Sequence, residues 1–251
     1  MLRRAPSRGS VAQLYCIPHA GSGPSAFRGW TNRLLPEIET ILVELPGRES
    51  RFHDAPYQSM EALVRDVSRS VLLSLEPDKP FAFFGSSWGS IVAFETLHEM
   101  RRQSGRSATH LFVSAASAPQ CEPILPPIGH LEDRELIRAV QTRYGGIPAP
   151  VLADEEFLAS VLPTLRADIQ LLEGYQRRAA DPLECPITAF AGTLDATVTR
   201  QQVEAWREQT SSTFEAFFLT GGHHYLQSAC DLLVSHVRQT LLVPTPIQGD
   251  L

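Results

Sequence analysis

The chain has 251 residues, room for one α/β domain with an insertion and a large buried core. Its 43% hydrophobic and 20% charged content is ordinary for a globular protein, and a net charge of -6 speaks against the clustered basic face of a nucleic-acid binder. No apolar run reaches the length of a membrane span, so no membrane association is expected.

Residues 1–10 are basic but no apolar signal core follows them, and they read as a short disordered leader. Residues 13–17 are the first expected strand. They run into the glycine-rich loop Pro18-His19-Ala20-Gly21-Ser22-Gly23 and a helix over 26–35. A strand at 40–45, a helix at 59–75, a strand at 81–84, a helix at 87–103 and a strand at 110–114 follow. This alternation is that of a mostly parallel sheet with helices on both faces. It stops at 119–181, where Pro119, Pro123, Pro126 and Pro127 open a stretch with helical patterns at 132–144 and 154–175. Between them, Tyr144-Gly145-Gly146-Ile147-Pro148-Ala149-Pro150 ends one helix and allows a hinge. The stretch is read as a helical lid inserted over the sheet edge, in preference to a plain packing subdomain. Alternation resumes with a strand at 186–191, a helix at 200–209, a strand at 214–219 and a helix at 226–242. Residues 11–118 and 182–242 thus form the core, and 243–251, with Pro244 and Pro246, read as a loose tail.

The strand at 81–84 and the helix at 87–103 meet at Gly85-Ser86-Ser87-Trp88-Gly89, a strand-to-helix elbow carrying a serine nucleophile. Ser87 has a glycine two residues away on each side. Ser86 lacks that symmetry and reads as a small turn residue. A serine hydroxyl needs a base to take its proton, and the base needs a third group to fix its tautomer. On this architecture the acid and then the histidine follow the serine. Asp195 ends the strand at 186–191, and His223 follows Gly221-Gly222 after the strand at 214–219. The adjacent His224 is the alternative base, but the position directly after the glycines favours His223. Oxyanion donors are expected from the Trp88 N–H and from the loop Pro18–Gly23, which lacks the Gly-Lys-Ser/Thr ending of a phosphate-binding loop. His19 in that loop reads as loop-shaping. Cys16, Cys121, Cys185 and Cys230 are scattered, consistent with reduced thiols in a cytoplasmic protein. No ligand spacing suggests a metal, and no cofactor is expected.

Taken together, Pro18-His19-Ala20-Gly21, Leu45-Pro46-Gly47-Arg48, the elbow, Pro163-Thr164-Leu165-Arg166-Ala167-Asp168, Val203-Glu204-Ala205-Trp206 and Gly221-Gly222-His223 resemble the type II thioesterases of polyketide and nonribosomal peptide synthases. The resemblance covers nearly everything from Val11 to Leu242. It implies an α/β-hydrolase that removes acyl groups from the phosphopantetheine arm of acyl or peptidyl carrier proteins, working as a monomer. It also implies Ser87 as nucleophile, Asp195 as orienting acid, His223 as base, and the N–H groups of Ala20 and Trp88 as oxyanion donors. The chain departs from the family where Ser86 replaces a usual His, Trp88 a usual Met and His224 a usual Phe. A small-molecule esterase on the same fold and a non-catalytic carrier-binding module are the alternatives.

Overall fold

Strand side chains alternate between faces, and here the alternation builds two apolar layers. In β2 (Ala12–Ile17), Tyr15 and Ile17 enter one layer and Leu14 and Cys16 the other. In β4 (Phe81–Ser86), Phe83 enters the first and Phe84 the second. Both strands are buried end to end, as apolar runs without a polar face require. A computed structural model describes residues 1–4, 7 and 9–242. It places these strands inside a seven-stranded sheet with β1 (Leu2–Arg4), β3 (Ile38–Val43), β5 (His110–Ser114), β6 (Ile187–Gly192) and β7 (Phe214–Leu219). The order is β1-β3-β2-β4-β5-β6-β7, and only β1 is antiparallel.

Helices α2 (Met60–Ser74) and α3 (Trp88–Ser104) cover the first layer with Leu63, Val67 and Val71 and with Ile91 and Val92. Helices α1 (Trp30–Leu34) and α8 (Cys230–Leu242) cover the second with Trp30, Leu34, Leu233 and Val237. The strand order reverses at β2, with β3 on one side and β4 on the other. The segments leaving the carboxyl ends of β2 and β4 therefore diverge and open a crevice, where sheets of this kind place their sites.

After β5 come the helices α4 (Asp133–Arg143), α5 (Ala149–Leu152) and α6 (Glu155–Glu173), and Leu136 and Val140 of α4 pack with Leu162 and Ile169 of α6 and with Ile128 in a small core. Asp154 caps α6, its Oδ1 accepting from the Phe157 N–H at 2.9 Å. The short α5 begins at the end of the 144–150 stretch expected to be only a break. Polar contacts tie α6 to the sheet: Thr164 Oγ1 donates to the Gly47 carbonyl at 2.9 Å, and Asp168 pairs with Arg48.

Several expectations are corrected. Residues 1–10 were expected as a disordered leader, but Leu2–Arg4 forms an edge strand on β3. The cause is electrostatic: Arg3 forks onto Glu44 at 2.6 Å through both nitrogens, and Arg4 onto Glu39 at 2.9 and 3.0 Å. Glu39 and Glu44 are buried, and a buried carboxylate requires such partners. The helix expected over 26–35 divides into a 3-10 turn, Pro24–Phe27, and α1, because Gly29 between them has φ +86°. The helix expected over 200–209 is α7 (Arg200–Glu204), tightening to 3-10 over Ala205–Gln209, where Trp206 Nε1 donates to the Ala116 carbonyl at 3.0 Å. Helix α8 begins four residues later than 226, and the tail at 243–251 lies outside the described residues.

Arg4→Ala leaves Glu39 without its fork. Arg4 is itself a third exposed, so the expected loss is about 1–2 kcal/mol, below that of a fully buried pair. Thermal unfolding should read this as a midpoint lower by roughly 3–6 °C, and an unchanged midpoint would show that β1 contributes no stability.

Candidate active site

Two glycines set the geometry of the β4–α3 elbow. A Cβ at Gly85 would overlap the Gly89 carbonyl oxygen and Ser90 Cα, and a Cβ at Gly89 would overlap the carbonyl oxygens of Ile17 and Pro18. Helix α3 thus starts in backbone contact with both β4 and the end of β2. Ser87 joins them at φ +52°, ψ −122°, a strained conformation for a residue with a side chain. Its N–H donates to the Ser114 carbonyl at 2.6 Å, and Ser90 Oγ lies 2.9 and 3.2 Å from the carbonyls of Gly85 and Ser114. With its backbone held, Ser87 turns its half-buried hydroxyl outward into the crevice.

The structure brings Ser87, His223 and Asp195 together. Ser87 Oγ lies 2.9 Å from His223 Nε2, and Asp195 Oδ2 lies 2.8 Å from His223 Nδ1. Asp195 Oδ1 accepts from the Thr197 N–H at 2.9 Å and from Thr197 Oγ1 at 2.7 Å. Thr197 Oγ1 also lies 3.0 Å from His223 Nδ1. Its single proton goes to the carboxylate, so toward Nδ1 it can only accept, and both neighbours require Nδ1 to carry the hydrogen. Nε2 is then left as the acceptor for the Ser87 hydroxyl. Burial of Asp195 works against its charge, but donation from His223 and Thr197 outweighs burial and holds its pKa below the ordinary value.

His224 points elsewhere. Its ring packs on His19 at 4.6 Å between centroids, and a Cβ at Gly146 would overlap it. Burial first, then the neighbouring His223, pushes its pKa down to about 4. Burial, then His224 and His223, push His19 to about 3. Both rings are therefore neutral near pH 7 and act as packing, which fits the loop-shaping role expected for His19.

Ala20 lies in a turn closed by the Ser22 N–H donating to the His19 carbonyl at 3.1 Å, with Gly21 at φ +71°. Trp88 opens α3, where an N–H has no acceptor within its own helix. The Trp88 indole is 1% exposed in the layer that holds Ile17 and Ile91, and among the described residues its Nε1 meets no acceptor. Ser86 ends β4 and is buried.

Four residues near the site carry no functional signal in the sequence. Tyr144, at the end of α4, sets its ring 4.8 Å from that of His223. Thr197, two residues after Asp195, belongs to no motif of its own. Arg48 and Asp168 marked motifs without an assigned role. Among the described residues no cluster of three or more metal-ligating side chains occurs, and no helix is long and apolar enough to cross a membrane. The four cysteines are free thiols.

Residues 12–241 match the family model described as "Thioesterase domain". The gramicidin S biosynthesis protein GrsT of Aneurinibacillus migulanus is 38% identical over 237 residues, covering 93% of this chain and 91% of that protein. The RedJ thioesterase from the prodiginine biosynthetic pathway of Streptomyces coelicolor superposes with a TM-score of 0.85 at 33% identity, covering 94% of this chain and 95% of its own. The type II thioesterase BorB from the borrelidin biosynthetic cluster gives a TM-score of 0.87 at 30% identity, covering 96% and 97%.

The depressed Asp195 pKa has a consequence for stability. A carboxyl that titrates lower in the folded than in the unfolded state stabilises the fold above its unfolded pKa of about 4, and the contribution is lost as pH falls through the lower folded value. Asp195→Asn removes that titration. Between pH 5 and pH 3 the wild-type unfolding midpoint should therefore fall more steeply than that of the variant, and parallel slopes would contradict the argument.

Proposed function

The chain belongs to the thioesterase domain family and has its α/β-hydrolase fold, and from that premise we propose that it is an editing thioesterase of polyketide or nonribosomal peptide biosynthesis. It hydrolyses acyl groups from the phosphopantetheine arm of acyl or peptidyl carrier proteins. The observation that carries this reading is the unbroken relay from Ser87 Oγ through the His223 ring to Asp195. Relatives in gramicidin S, prodiginine and borrelidin biosynthesis support the substrate class.

In the proposed reaction Ser87 Oγ attacks the thioester carbonyl as its proton passes to His223 Nε2. The N–H groups of Ala20 and Trp88 receive the developing oxyanion. The tetrahedral intermediate collapses, breaking the carbon–sulfur bond, and His223 returns the proton to the departing thiol. Water, deprotonated by His223, attacks the acyl-enzyme through a second oxyanion. Collapse releases the carboxylic acid and returns the proton to Ser87. Asp195 and Thr197 keep the imidazole in the tautomer that both half-reactions need.

The insertion over 119–181 serves as the lid. Its Tyr144 ring covers His223 on one side, and its Gly146 abuts His224. The span 144–150 can hinge while α6 stays pinned through Thr164 and Asp168. Trp88, buried beside the nucleophile, limits the room for the acyl chain.

Purified protein should release free acid from an acyl-loaded carrier protein, faster than from an oxygen ester of the same acyl group. Ser87→Ala should lower turnover by at least about 10³-fold. Retained turnover in that variant rules out Ser87 as nucleophile, and a preference for the oxygen ester favours a small-molecule esterase. Trp88→Met should extend the acceptable acyl groups towards longer or branched chains. Identical chain-length profiles for the two proteins would remove Trp88 as a selectivity determinant.

A further inference from the structure

The catalytic reading leaves one buried charge pair without a use. Asp168 on α6 and Arg48 after β3 are 3% and 5% exposed at their side chains. Asp168 Oδ2 accepts from Arg48 Nη1 at 2.7 Å and Oδ1 from Nη2 at 3.0 Å. The same Oδ2 accepts from the Gly21 N–H at 2.8 Å. Arg48 also donates to the Pro46 carbonyl through Nε and to the Ser22 carbonyl through Nη1, each at 3.1 Å. We propose that Asp168, locked by Arg48, is a positioning residue that holds the turn His19–Ser22 so that the Ala20 N–H faces the acyl carbonyl at Ser87. The inference rests on the assignment of Ala20 as an oxyanion donor.

A purely stabilising role explains the arrangement poorly. A buried ion pair is often no more stable than apolar residues of the same volume. An apolar replacement would not, however, accept the Gly21 N–H, which would be left part-buried and without that partner. That N–H belongs to the central peptide of the turn, and the φ of +71° at Gly21 is what a type II turn requires at its third residue. Type I and type II turns differ by a flip of this peptide. A flip here would aim the Ala20 carbonyl oxygen at the Asp168 carboxylate, so the carboxylate selects one state. Arg48 fixes the far end of the turn through Ser22, and Leu165 of α6 sits on Gly21, its Cδ1 2.9 Å from where a Cβ would lie. The helical insertion thus reaches the oxyanion loop through a charged hydrogen bond to the peptide next to the one that carries the Ala20 N–H, and this contact, rather than the seating of α6 as a whole, holds the turn on which that donor sits.

The test compares Asp168→Asn and Arg48→Lys with Thr164→Val, which removes a different α6-to-core hydrogen bond that does not touch the turn. Two quantities are read: kcat and KM on an acyl-S-pantetheine thioester, and the affinity of an alkylboronic acid whose serine adduct places an oxygen in the oxyanion position. Asp168→Asn should lower kcat by about ten- to a hundredfold, less than outright loss of a donor, with KM within about twofold and boronate affinity falling in parallel. Arg48→Lys keeps the charge but not the fork, and should lose about three- to tenfold in both. Thr164→Val should shift the unfolding midpoint while leaving kcat and boronate affinity at wild-type values. Wild-type kcat and boronate affinity in folded Asp168→Asn overturn the proposal; should that variant not fold, the same result in Arg48→Lys does. An equal loss in Thr164→Val also overturns it, by showing a general packing effect. Ser87→Ala, run alongside, separates the two readings. Turnover surviving in Ser87→Ala removes the catalytic assignment itself, whereas an inactive Ser87→Ala beside a fully active Asp168→Asn removes only the positioning role.

Discussion

Helix α3 meets the sheet at backbone contact distance, and the rest of the site follows from that approach. Any side chain at Gly85 or Gly89 would overlap the backbone of α3 or of the β2 end. Because the helix sits so close, the chain must turn sharply at Ser87, and the turn costs a φ of +52° there. The hydrogen bond from the Ser87 N–H to Ser114, with the Ser90 hydroxyl between the Gly85 and Ser114 carbonyls, helps to hold that strain in place. The same closeness brings the first N–H of α3 beside the loop leaving β2. One constraint therefore presents the Ser87 hydroxyl and sets an α3 amide near the loop that carries Ala20.

Charge is handled differently on the two sides of the crevice. At the base, Asp195 stays ionised in a buried position because His223 and Thr197 donate to it. At the Gly21 turn, Asp168 is buried as well and is answered by a full guanidinium fork. Between them His19 and His224 lose their charge, both chiefly to burial, with His223 disfavouring charge on each. The cation nearest the loop, Arg48, is taken up by Asp168 and backbone carbonyls.

The alternation of apolar strands and amphipathic helices was legible because β2, β4, β5 and β6 are buried on both faces and leave continuous apolar runs. β1 was not legible. Leu2-Arg3-Arg4 has no strand-like apolar pattern, and it pairs with β3 only because Glu39 and Glu44, more than thirty residues away, need its guanidinium groups. The break in the first helix was hidden because a glycine within a helical pattern does not announce its φ, and Gly29 takes +86°. Tyr144 gave no signal at all, since nothing local tells that the end of α4 returns over His223.

The sequence by itself determined the elbow, the order of serine, acid and histidine, and the class of fold. These rest on local chemistry: glycines where backbones touch, an acid and a base at strand ends, and apolar periodicity. Tertiary structure alone decided which of two adjacent histidines meets Ser87, because only the loop's path turns one ring toward the serine and the other against His19. It alone also joined Arg48, Gly21 and Asp168, drawn from three separate segments. A buried charge takes whatever partner the packed chain brings within reach, and spacing along the sequence does not encode that distance.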